Sequence, residues 1–227
     1  MIAVSALSFR SVSILGLEIP PGLTSVIGPN GCGKTTFLKL LAGIHLPGSG
    51  TIHIDGIPPR MAEIGWVNEF PDRNSIFRTV ADEIASPLRF RHLPEQEIRS
   101  RTEHLIEYLG LAPLRDLPVR DLSGGEKVMI AIAASVISRP QALILDEYDS
   151  HLDAHSIVRI DALLSGLPIP YIIRCTQDME AAAQGAFLVF LEEGTIRHAG
   201  MPEAVIPALA GTPFYPFSWR CGYRTRA

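Results

Sequence analysis

Apolar and polar positions fall into short blocks along most of the chain. The runs "IAVSALSF", "LGLEI" and "LTSVIG" read as strands, and "TIHIDG" alternates and ends in an Asp-Gly turn signal. From residue 71 to residue 121 charge and proline increase. Within that block "EQEIRSRTEHLIEYLGL" places Ile98, Leu105, Ile106 and Leu109 on one helical stripe, which predicts a helical insertion. After it come a helix "EKVMIAIAASVIS", a strand "ALILD", a helix near "HSIVRIDALLSGL", a strand "YIIRCT", a helix near "MEAAAQG" and a strand "FLVFLEEGTI". Strands alternating with helices predict an α/β fold with a parallel sheet covered on both faces. The tail from Pro207 carries turn residues and aromatics without a period.

Composition narrows the picture. A chain of 227 residues, 47% hydrophobic, suits one large domain, or a domain with a modest subdomain, around a sizeable core. With 19% charged residues and a net charge of -4, a polybasic nucleic-acid binder is disfavoured. Cys32, Cys175 and Cys221 lie far apart, show no metal-ligand spacing, and fit a reducing compartment better than a disulfide scaffold. "MIAVSALSFR" lacks the features of a signal peptide. The longest apolar stretch, between Lys127 and Arg139, falls well short of the ~20 residues that span a bilayer. A soluble protein is expected, with any membrane role exercised through a partner.

Three stretches carry chemistry. In "VIGPNGCGKTT", Gly28, Gly33, Lys34 and Thr35 match the phosphate-loop pattern, between an apolar strand and a helix. Glycines there let backbone N–H groups close on phosphate, and the helix N-terminus adds positive potential. Asn30, Gly31, Cys32, Gly33 and Thr36 belong to the same cradle. Lys34 would reach the outer phosphates and the Thr35 hydroxyl would sit on Mg²⁺. In "ALILDE", Asp146 emerges from a buried strand as a second Mg²⁺ ligand, and Glu147 follows to polarise the attacking water. In "DLSGGEK", Ser123 and Glu126 form a capping box, which alone explains both. Gly124 and Gly125 also bare N–H groups at a helix start, a second anion site. Two phosphate-binding helix starts in one chain make sense if one of them serves a second molecule.

The order "GPNGCGKTT", "LSGGEK", "LILDE", "SHLD" resembles the ATP-binding cassette (ABC) ATPases, over about residues 2 to 200. The resemblance implies a P-loop α/β cassette over residues 1–206, with an N-terminal antiparallel β part, a helical subdomain near 71–130, and a C-terminal tail over 207–227. It implies ATP and Mg²⁺ as ligands and head-to-tail pairing with a second cassette, as a homodimer or a heterodimer. Each ATP then lies between one phosphate loop and the partner's signature, with Asp153 at the seam. It further implies an integral membrane transporter subunit as partner, no nucleic acid, and a cytoplasmic place on the inner face of the membrane. "GWVNEFPDRNSIFRTVADEIASPL" looks like the corresponding stretch of cobalt-type and energy-coupling-factor importer cassettes, through Pro71, Asp72, Phe77, Thr79 and Val80. The rival reading is a non-transport or regulatory cassette that works as an ATP-driven clamp.

Several positions depart from the family pattern. Glu69 replaces a glutamine that contacts metal or water; it could still coordinate Mg²⁺, but its charge repels phosphate. Ser11 occupies the position of the adenine-stacking aromatic, so that Phe9 or another ring substitutes or stacking is lost. Tyr148 and Asp149 replace a Pro-Thr pair, and Val128-Met129 a polar pair. Gln177 falls where the family has a switch histidine at the γ-phosphate. A glutamine amide donates a hydrogen bond but carries no charge and shuttles no proton. Losing one donor to developing charge typically costs ~10²–10³ in rate. Slow hydrolysis is therefore expected, with Glu147, Lys34 and Gln177 as the catalytic set, unless Gln177 is an exposed turn residue. Cys32, near Lys34 and a helix N-terminus, is expected to have a lowered pKa, or else merely to pack. His151 and His155 lack a third ligand and read as a solvated loop.

Overall fold

The computed structural model describes residues 1–70 and 75–220. Pro71, Asp72 and Cys221, all named above, lie outside the described residues.

Strands β1 (Ile2–Phe9) and β2 (Val12–Ile19) pair antiparallel. The chain leaves as β3 (Gly22–Ile27) and helix α1 (Lys34–Leu41), then returns as β4 (Ser49–Ile54) on the other edge of β1. This is the expected N-terminal antiparallel part.

The second sheet contains β3, β5 (Ile64–Val67), β6 (Ala142–Asp146), β7 (Tyr171–Cys175), β8 (Phe187–Glu192) and β9 (Thr195–Gly200), in the order β5-β6-β7-β3-β8-β9. It is parallel except for β9. Strand β6 shows why "ALILD" is apolar throughout. Leu143 and Leu145 face a core built with the helices, while Ala142 and Ile144 face a core shared with α1 and the small sheet.

The helical block contains α2 (Val80–Phe90), α3 (Glu95–Tyr108) and α4 (Gly124–Val136). The predicted stripe on α3 is present: Ile98 and Ile106 are buried, and Leu105 and Leu109 pack beside them. Thr79 caps α2 by accepting from Asp82 N–H, and Val80 is fully buried, so both have structural reasons to be there. Val128 and Met129 are also buried in this core, which accounts for an apolar pair at the start of α4. Helices α5 (Ala154–Gly166) and α6 (Met179–Ala183) complete the alternation.

Two features differ from expectation. "FLVFLEEGTI" is not one strand but the hairpin β8–β9, because Glu193 (φ 49°) and Gly194 (φ 75°) both take left-handed backbone at its turn. The tail without a period folds back. After α7 (Pro202–Val205) it ends in α8 (Phe217–Arg220), with Phe214, Tyr215 and Trp219 packed against a cluster containing Ile27 and Phe190. Ser218 donates from both N and Oγ to the Glu180 carboxylate on α6.

Candidate functional site

The ends of β3, β6 and β7 are adjacent in the sheet, and the loops leaving them enclose one cleft of about 360 Å³. Asn30, Gly31, Gly33, Lys34, Thr35 and Thr36 line it from the β3 side. Glu147 and Gln177 line it from the ends of β6 and β7, and Ser11 is also on its wall. Crevices beyond the C-terminal ends of parallel strands are the usual ligand site of such sheets.

The glycines have individual reasons. Gly28 has φ 150°, and a Cβ there would lie 2.0 Å from the Leu191 carbonyl oxygen. Gly33, at φ 105°, caps α1 and would put a Cβ 2.8 Å from Val12 Cγ2. No L side chain fits either place, so the loop can curl over the sheet only with glycine. Lys34 is 4% exposed; its Nζ donates to the carbonyls of Gly28 (3.0 Å) and Pro29 (3.1 Å) and lies 3.8 Å from Glu147 Oε1. The cation is thus held across the cleft, between the loop and the proposed base.

Thr35 Oγ1 donates to Asp146 Oδ1 at 3.0 Å. Burial raises the Asp146 pKa against the pull of that hydrogen bond, so its charge lacks solvation that a cation would restore. Among the described residues no group of three His, Cys, Asp or Glu could hold a metal. Two adjacent hard oxygens, one of them a poorly solvated carboxylate, fit Mg²⁺, which keeps water and phosphate oxygens as its other ligands. Glu69 is close enough for its charge to raise the Asp146 pKa, but its Oε1 lies 3.5 Å from His151 Nε2. His151 is exposed, as expected of a solvated loop, and its ring stacks on Phe70 at 5.1 Å.

Glu147 has φ 49°, a left-handed conformation that costs an L residue roughly 1–2 kcal/mol. Strained backbone at a cleft is a common mark of a functional position. Its Oε2 accepts from Gln177 Nε2 at 3.5 Å. Gln177 is exposed, yet it is on the cleft wall beside the proposed base, as the switch reading requires.

Two expectations are settled differently. The Cys32 thiol pKa is raised, because burial outweighs the lowering by Lys34. The thiol is 7% exposed and packs, the alternative left open above. Cys32 is accordingly expected to react slowly with a neutral-pH alkylating reagent, whether or not nucleotide is present; rapid labelling in a mass-spectrometric time course would contradict this. Phe9 stacks on His45 at 5.2 Å, with the Arg10 guanidinium over it, and does not line the cleft. Ser11 lines the cleft instead.

The signature residues lie elsewhere. Ser123 and Glu126 form the full capping box, whose hydrogen bonds lower the Glu126 pKa. Gly125 has a packing reason too, since a Cβ there would lie 2.4 Å from Ser156 Oγ. Asp153 caps α5 by accepting from Ser156 N–H. None of Ser123, Gly124, Gly125, Glu126 or Asp153 lines the cleft. Sequence reasoning missed two buried groups behind it, Arg174 and Thr176, and the partly buried Asp161.

A phosphate loop opening a helix, with Thr35 of that helix bonded to Asp146 at the end of β6 and Glu147 directly after it, defines a P-loop nucleotide-binding protein. The family model described as ABC transporter matches residues 13–150, and the chain belongs to that family. Relatives include the energy-coupling factor transporter ATP-binding protein EcfA1 of Lacticaseibacillus paracasei, 31% identical over 191 residues, 80% of this chain and 69% of the relative. The trehalose/maltose import ATP-binding protein MalK of Thermococcus litoralis is 32% identical over 222 residues, 89% of this chain but 58% of the relative, so the chain spans less than two thirds of that protein. Among solved structures, cbiO1 from Clostridium perfringens, described as part of the ABC transporter complex cbiONQ, has a TM-score of 0.82 at 28% identity, covering 92% of this chain and 93% of that one.

Proposed function

We propose that this chain is the nucleotide-binding subunit of a membrane transporter, hydrolysing Mg-ATP as one half of a head-to-tail pair of cassettes. The observation that carries the reading is the convergence of Lys34, the Thr35–Asp146 pair, Glu147 and Gln177 around one cleft. Lys34 grips the outer phosphates, exchanging its present carbonyl partners for phosphate oxygens. Thr35 and Asp146 would hold Mg²⁺, which would supply neutralisation of charge on the phosphates. Glu147 orients the attacking water and takes its proton; the Gln177 amide holds the Glu147 carboxylate but cannot relay that proton.

The position of the signature helix start outside the cleft supports pairing, since Ser123, Gly124 and Gly125 do not serve this chain's own nucleotide site. Among the described residues no helix is long and apolar enough to cross a membrane. A cleft of about 580 Å³ bordered by Phe77, Arg78, Val119 and Lys127, beside the exposed Ile76, supports docking on the helical block. The import and transport roles in the names of EcfA1 and MalK support the same assignment.

The experiment is Gln177→His. Turnover is expected to rise about tenfold with ATP affinity little changed, because the gain lies in the transition state. Steady-state kinetics alongside calorimetry decide it; a flat kcat, with Glu147→Gln still inactivating, removes Gln177 from the catalytic set.

A further inference from the structure

The end of β7 and the loop after β6 are fastened together position by position. Arg174 Nη1 lies 3.4 Å from the Tyr148 hydroxyl. Cys175 Sγ lies 3.8 Å from Glu147 Oε1. Thr176 Oγ1 donates to Asp149. Gln177 Nε2 lies 3.5 Å from Glu147 Oε2. Four consecutive residues of one segment thus meet three of the other, and the two proposed catalytic groups stand at the end of this seam.

Arg174 anchors it. The side chain is 1% exposed, on the middle of a parallel sheet, where an unpaired charge is very costly. Its Nη1 donates to Asp161 Oδ1 on α5 at 2.6 Å, its Nε to Ser25 Oγ on β3 at 3.2 Å, and its Nη2 to the Ala181 carbonyl on α6. The Tyr148 hydroxyl also donates to Asp161 Oδ1 at 3.3 Å. Burial opposes the charge on Arg174, but the Asp161 carboxylate and the hydrogen bond with Tyr148 favour it and hold the guanidinium charged. One cation therefore joins β3, α5, α6 and the loop that carries Glu147. None of Arg174, Tyr148 and Asp161 lines the cleft, so binding and water activation make no direct use of them.

We propose that Arg174, Tyr148 and Asp161 are positioning residues that fix Glu147 and Gln177 relative to each other and tie both to α5. The proposal rests on reading Glu147 as the water-activating group. Helix α5 is capped by Asp153, which the family resemblance puts at the cassette seam, and Asp161 and Arg174 connect that helix to the loop.

The test compares wild type with Tyr148→Phe, Arg174→Lys and Glu147→Gln, by ATP turnover, melting temperature and hydrogen exchange of segments 147–152 and 175–180. Tyr148→Phe removes one hydroxyl and is expected to keep the fold. It should lower kcat about tenfold, the scale of a small misplacement of catalytic groups, with KM for ATP nearly unchanged. Exchange should rise in both segments together. Arg174→Lys keeps the charge but loses the fork, and should behave alike; if it fails to fold, Tyr148→Phe decides alone. A lower melting temperature with kcat and exchange unchanged would mean a merely structural role and overturn the proposal. If Glu147→Gln turns over like wild type, the reading of the site fails instead. In that case the exchange data still decide whether the cluster holds the two segments together, and unchanged protection in Tyr148→Phe rejects it.

Discussion

Lys34→Ala should reduce Mg-ATP affinity by at least about a hundredfold. Each charge-assisted hydrogen bond is worth roughly 1.5–3 kcal/mol, and two such bonds to phosphate amount to about 10²–10⁴ in affinity. The structure adds a reason for the upper part of that range. The lysine is almost wholly buried and already aimed into the cleft by the Gly28 and Pro29 carbonyls, so little ordering cost is left for binding. Alanine leaves those two carbonyls facing the site, where they repel phosphate oxygens. Calorimetric titration of wild type and variant measures the difference directly, and equal affinities would overturn the phosphate-loop assignment.

Glu147→Gln should slow hydrolysis by about 10²–10⁴, the contribution of a positioned general base, while nucleotide still binds. The amide keeps the size of the side chain and its hydrogen bond with Gln177, but it cannot accept a proton. Lys34 also loses an anionic neighbour at 3.8 Å, so ATP should bind no more weakly than to wild type. A paired state that persists with ATP is then expected, visible as a doubled mass by light scattering. Single-turnover kinetics with unchanged rates would exclude Glu147 as the base.

Much of this site could be read before any coordinates, for physical reasons that differ between residues. The phosphate loop was legible because its glycines, strand and helix are contiguous, and Gly28 and Gly33 tolerate no side chain. Asp146 was legible because a carboxylate ends a strand buried on both faces. The capping box was legible because its two partners are three residues apart. What was hidden depends on distant partners. Arg174 sits within "YIIRC", where one charge among apolar residues gives no sign of Asp161, Ser25 or Ala181. Asp149 looked like a lost threonine, yet it accepts from Thr176; burial raises its pKa against that bond. For Cys32 the neighbours were identified correctly, but burial, which the sequence does not display, outweighs them. The left-handed Glu193-Gly194 turn was passed over because Glu-Gly is a weaker hairpin mark than Asn-Gly or Asp-Gly.

The folded-back tail has a practical consequence. The sequence contains two tryptophans, Trp66 on β5 and Trp219 on α8. Trp219 packs against a cluster that includes residues of α6, the helix next after Gln177, and neighbouring Ser218 is bonded to Glu180 of that helix. Among the described residues its indole nitrogen is buried without a hydrogen-bond partner. With Trp66 replaced by phenylalanine, the protein carries a single tryptophan, packed behind the segment that holds Gln177. Any displacement of α6 on nucleotide binding could then be followed in stopped flow by the emission of that one residue, with no label attached.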